Sequence, residues 1–215
     1  MLQELNEISD GKIYNVNDMV RAACNDCAGC HACCEGMGDS IVLDPLDVWQ
    51  LCRATGKSAQ QLLDDTIELG VVDGVILPHL RMEGQEERCP FLNQEGRCSI
   101  HPFRPGLCRV FPLGRIYEEK GIRYFLQREA CQSPNRTKVK VGKWLDVPQQ
   151  KKNEHFLLSW HAFRKAVEEK LSGMKDENAK KNLNLFILQQ FYLTPYEDED
   201  FYGQFDARMQ QISVF

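Results

Sequence analysis

A chain of 215 residues, 43% apolar and 27% charged, can bury a sizeable core without covalent staples. Its formal net charge of -5 supplies no basic stripe for a nucleic-acid backbone, so no nucleic-acid partner is expected. The first residues lack a basic and apolar leader pattern and no later stretch approaches a membrane span, so a cytoplasmic protein with no membrane partner is expected, and there ten cysteines point to metal ligation, redox chemistry or burial rather than a disulfide framework.

Residues 1–23 show weak periodicity and form an N-terminal segment with no firm assignment. After Gly36 and Gly38, the apolar Ile41-Val42-Leu43 leads into Asp44-Pro45-Leu46-Asp47. There Asp44 can cap a helix, Pro45 suits its first position and Asp47 its third. This predicts a helix over 45–55 closed by Gly56, and a second one capped by Ser58, running to Leu69 and stopped by Gly70. Val71 to Met82 is β-branched and interrupted by glycine and proline, which predicts a strand or two before a polar loop at 83–88.

The segment from Cys89 to Pro112 carries enough proline and glycine to read as a folded loop. Leu113 to Tyr117 and Ile122 to Gln127 flank Glu118-Glu119-Lys120-Gly121 as a β-hairpin, and 139–145 offers one more strand. Two helical patterns follow, at about 149–171 and 177–192, where Leu183, Phe186, Ile187 and Phe191 recur at helical spacing. The acidic run 197–200 reads as a solvated turn. The expected fold is α+β, with an irregular cysteine-rich metal-binding core at 24–146, short antiparallel strands, and a helical C-terminal extension at 147–215 packed on it.

The cysteines carry the chemistry. Cys24, Cys27, Cys30 and Cys33 recur every three residues and Cys34 follows directly. Two intervening residues let a tight turn bring two thiolates to one soft metal, and Ala28, Gly29 and Ala32 suit that turn. The same repeat occurs in loops that wrap an iron-sulfur core. Adjacent Cys33 and Cys34 diverge, so one of them turns elsewhere; a helical run groups Cys27, Cys30 and Cys34, whereas a ferredoxin-like loop groups Cys27, Cys30 and Cys33. Cys89, Cys98 and Cys108 supply a second set and Cys131 follows the hairpin. Cys52, inside the first helix, reads as a buried core thiol. Cys24 is left open between ligand and bystander.

Cys27, Cys30, Cys33 and Cys34, then Ile41, Leu43 and Asp47, then Cys89-Pro90-Phe91-Leu92, Cys98-Ser99-Ile100, Arg104-Pro105, Cys108-Arg109 and Phe111-Pro112 resemble, in order, the YkgJ family of CxxCxxCC cysteine-cluster proteins. The resemblance covers roughly 27–131 and implies a zinc- or iron-chelating domain. A distant relative, the flagellin lysine methylase, shares only the chelating motifs, so its activity does not carry over. The implied ligands are Cys27, Cys30, Cys33, Cys34, Cys89, Cys98, Cys108 and Cys131. His31 and His101 stand where the family commonly has a glycine and a tyrosine, so each either adds a nitrogen ligand or packs locally. Arg104 and Arg109 are placed to offset the charge of a thiolate-bound centre.

The expected cofactor is an iron-sulfur cluster, of the 4Fe-4S type, or zinc. A redox or catalytic cluster protein, a structural zinc module that mediates protein interaction, and a metal-handling protein are the readings weighed, with enzymatic activity left open. No Walker loop, dinucleotide glycine motif or Ser-His-Asp grouping is present.

Overall fold

The structure is a computed structural model that describes residues 7–24, 30–119, 121–131, 133, 136–197 and 200–212. It is α+β: three small antiparallel sheets hold the cysteine loops, and long helices pack around them. Strands β1 (Ser9–Tyr14), β6 (Gly121–Gln127) and β5 (Leu113–Glu118) form one sheet in the order β1-β6-β5. β2 (Met19–Ala23) pairs with β7 (Thr137–Lys140), and β3 (Ile67–Val72) with β4 (Val75–Leu80). The residues before the cysteine run, which carried no assignment, thus supply two strands whose partners lie more than a hundred residues away. Their pattern is weak because each is short and its ladder is interrupted by a register shift, between Ser9 and Ile13 in β1 and between Arg21 and Ala23 in β2.

Helix α1 (Pro45–Thr55) forms as its sequence dictates. Asp44 accepts from the Asp47 amide at 2.9 Å while Asp47 accepts from the Asp44 amide at 3.1 Å, and Gly56 ends the helix in the left-handed region. Ser58 and Gln61 make the same reciprocal cap on α2, but α2 spans only Ala59–Asp65. The helix expected to continue to Leu69 stops at Thr66, because Ile67 to Val72 pair in register with Val75 to Leu80 around an Asp73-Gly74 turn in which both residues have positive φ. Ile41 to Leu43 lies along the other edge of β4, with the Leu43 amide donating to the Pro78 carbonyl and the Leu80 amide to Ile41.

The β5–β6 hairpin forms as expected. Within the 89–112 segment, a 3-10 turn at His101–Phe103 and a short helix α3 (Gly106–Val110) break the expected loop. The last expected strand ends at Lys140 and continues as α4 (Val141–Leu145).

Helices α5 (Gln150–Gly173) and α6 (Glu177–Leu188), the latter extended by a π turn at Gln189–Leu193, match the periodic patterns. Helix α7 (Phe201–Gln211) was not foreseen; Asp200, within the acidic run, caps it, whereas Asp198 and Glu199 lie outside the described residues. It is needed to close an aromatic core in which Phe156 meets Phe205 edge-on at 4.7 Å and Trp160 meets Phe191 at 5.1 Å. Among the described residues, no helix is long and apolar enough to cross a membrane.

Candidate metal centre

Two loops bring the cysteines together. The first makes a single 3-10 turn at Ala32–Cys34, with the Cys34 amide donating to the His31 carbonyl at 2.7 Å. The second is tied to it directly, because the Cys89 amide donates to the Cys34 carbonyl at 2.8 Å. A tight loop bridged between Glu83 and Arg88 leads into Cys89, and its Glu86 carbonyl accepts from Gly36 at 3.1 Å. After Cys89 the chain folds back so that Leu92 pairs with Cys98 and the Ser99 amide donates to the Phe91 carbonyl at 2.8 Å. Backbone groups that a loop would otherwise leave unpaired are thereby satisfied, and Cys89 and Cys98 are held on adjoining arms.

Cys30, Cys33, Cys34, Cys89, Cys98 and Cys108 line one cavity of about 90 Å³, completed by apolar side chains from Leu80, Phe91, Leu92, Ile100 and Phe111 and by Trp144. Trp144 is fixed by its indole N–H, which donates to the Val110 and Phe111 carbonyls at 3.3 and 3.1 Å. Burial pushes the Cys89 and Cys98 thiols up, with Arg104 pulling Cys98 back toward ionisation, and burial pushes Cys108 far up. A hydrogen bond from Cys34 lowers Cys33 to about 7, against the cost of its own burial, and raises Cys34 in turn. Several thiols crowded into an apolar space resist becoming thiolates together unless a cation compensates them. A bound soft metal does so, deprotonating its ligands outright. The donor set therefore fits zinc or iron.

Among the described residues, no three His, Cys, Asp or Glu side chains are grouped as ligands of one ion. Cys27 lies outside the described residues. Cys131 does not line the cavity; it sits near Cys24 and Cys30, which add to the effect of burial in raising its thiol. Cys52 is half-buried in α1, away from the cavity wall, and burial raises its thiol.

The histidines are placed differently from one another. His31 is half-exposed, its Nε2 3.8 Å from Glu35, and does not line the cavity. His101 does line it, with Nδ1 3.1 Å from Arg104 Nη1. A guanidinium only donates, so Nδ1 accepts and the neutral ring carries its proton on Nε2. Either nitrogen would have to give up its present role to bind a metal.

The segment 101–109 works as a partition. His101, Arg104, Pro105 and Cys108 face the cysteine cavity, whereas Pro102, Phe103, Gly106 and Arg109 face a second, larger and polar cavity. Arg104, braced on the His101 carbonyl at 2.9 Å, is on the thiol side. Arg109, only 8% exposed, turns to the polar side, where its guanidinium donates to the Asp146 and Pro102 carbonyls at 3.0 and 2.7 Å. The polar cavity escaped sequence reading, since its walls come from α1, α3, β5, the α4–α5 connection and α7, and no local motif marks their convergence.

No curated protein and no solved structure matches the chain. One family model does, over residues 26–141, with the description "Putative zinc- or iron-chelating domain", and its span holds every cysteine of the cavity. A match over more than half of the chain, in the same residues that the fold gathers around one cavity, establishes membership: the protein belongs to the CxxCxxCC family of zinc- or iron-chelating domains.

Proposed function

We propose that the chain holds an iron-sulfur cluster of the 4Fe-4S type in the cysteine cavity, with Cys89, Cys98, Cys108 and one of the Cys33 and Cys34 pair as ligands. The observation that carries the reading is that six thiols from two loops are spread around one apolar cavity, while among the described residues no three converge on a single ion. A polynuclear core is held by sulfurs spread around its periphery. When bound, such a cluster supplies one-electron redox chemistry or an open iron for substrate.

The protein's own residues contribute the surroundings. Leu80, Phe91, Ile100 and Trp144 restrict water, and Arg104 offsets thiolate charge near Cys98. Arg109 supports the site indirectly, by bracing the short helix that carries Cys108. Cys131, with Cys24 and Cys30, forms a second thiol group beside the cavity.

Anaerobic purification followed by iron, acid-labile sulfide and zinc quantification on one sample tests the proposal. Matched iron and sulfide with a broad visible absorption band support a cluster, and iron in excess of one core per chain assigns a role to the second thiol group. Colourless protein with stoichiometric zinc overturns the cluster reading and leaves a structural zinc module, in which closed coordination contributes folding energy.

A further inference from the structure

The polar cavity beyond the partition measures about 380 Å³, within the range of about 300–1,000 Å³ typical of small-molecule sites. Its inner wall holds Asp44 and Asp47, whose carboxyl groups complete the cap of α1 while Asp47 also accepts from the Gly106 amide at 2.7 Å. A carboxylate has room for about four hydrogen bonds, so each keeps acceptor capacity beyond its structural bonds. Opposing them are guanidinium groups. Arg115 donates to the Gly106 carbonyl at 3.1 Å, and Arg53, on an exposed residue, lies over the Trp49 ring at 4.7 Å.

The mixture of signs selects the occupant. A simple anion would bring its charge against the Asp47 carboxylate, and a simple cation would meet Arg109 and Arg115, so either incurs repulsion in a partly dry space. A molecule that carries both charges a few bonds apart meets neither penalty. Phe201 and Tyr202 give its remaining atoms an aromatic surface.

We infer that this cavity binds a small zwitterion of the amino-acid type, with its carboxylate received by the guanidinium groups of Arg53 and Arg115 and its ammonium group by the Asp47 carboxylate. No cysteine lines this cavity, so the inference stands or falls independently of the metal.

The test titrates each standard free L-amino acid, to millimolar concentration, into the full-length protein as purified, by calorimetry and saturation-transfer NMR, with acetate and ethylamine as single-charge controls. At least one amino acid should bind saturably at one per chain, and neither control should. Arg53→Ala and Asp47→Asn should each weaken that binding at least about tenfold. Asp47→Asn keeps a side-chain oxygen that can accept from the Asp44 amide, and Arg53→Ala alters only an exposed residue and decides the matter if the other variant is unstable. Absence of saturable binding by every amino acid, equal binding of a control, or affinity unchanged in Arg53→Ala overturns the inference. Metal content measured on the same samples reports separately on the cluster.

Discussion

The buried Arg109 reaches outward to the exposed Asp146: Nη1 of Arg109 donates to the Asp146 carbonyl at 3.0 Å, and the Asp146 carboxylate lies 3.9 Å from the same nitrogen. With the bond from Nη2 to Pro102, this makes one buried side chain the clamp between the partition and the turn that ends α4. Arg109→Met should therefore destabilise the chain by about 2–4 kcal/mol, since two carbonyls lose a charged donor. Arg109→Lys should recover little, because a single ammonium lacks the fork that reaches both. Urea denaturation of the three proteins checks the order, and a lysine variant as stable as wild type would contradict the clamp.

Removing thiols one at a time separates the cavity from its surroundings. Cys89→Ser, Cys98→Ser and Cys108→Ser should each lower metal affinity by more than about a hundredfold, beyond the loss of about 10–100-fold usual for residues that merely support ligands. Cys52→Ser should keep full metal, and Cys131→Ser should keep the metal of the cavity. Metal analysis after gel filtration distinguishes these outcomes; full occupancy in Cys98→Ser would remove the cavity from consideration.

The carboxyl pair at the start of α1 predicts a pH dependence with a definite sign. Burial raises Asp47 from 3.8 to about 6, against the hydrogen bonds from Asp44 and Gly106 that favour its charged form, and burial together with Asp47 holds Asp44 well above the carboxylate range. The folded state thus holds these protons more tightly than the unfolded one. Their contribution to stability is fully present below about 4, declines as pH rises to about 6 through the Asp47 value, and for Asp47 changes no further above it. Asp47→Asn should flatten the curve between those limits, measured as the difference in unfolding free energy between variant and wild type at each pH.

Gly114 in β5 has no room for a side chain, because a Cβ there would collide with the Phe125 ring across the hairpin. Gly114→Ala should cost about 1–3 kcal/mol, the usual range for overpacking. Pairing it with Phe125→Leu should restore part of the loss, and a double-mutant cycle with no coupling would show that the ring moves aside freely.

The α1 cap was legible because it is made within four residues, and the β5–β6 hairpin because its two strands are sequence neighbours. The cysteine spacing announced soft-metal chemistry by itself, since two residues between successive thiols let a tight turn bring both to one ion. Ile67 to Leu69 defeated the same kind of reading. Their apolar positions suit a helix locally, and only pairing with β4, beside the Ile41–Leu43 edge, makes them a strand.

The sequence by itself determined where the cysteine motif lies, where the capped helices begin, and the family to which the chain belongs. Only the tertiary structure decided which thiols share a cavity, that Arg104 faces them while Arg109 turns to the opposite side, and that Asp44, Arg53 and Arg115 meet around a second cavity. Spacing rules act over a turn or two of chain. These meetings depend instead on loop closures such as Cys89 to Cys34 and on the packing of α7 against α5, whose energies come from contacts between residues far apart in sequence.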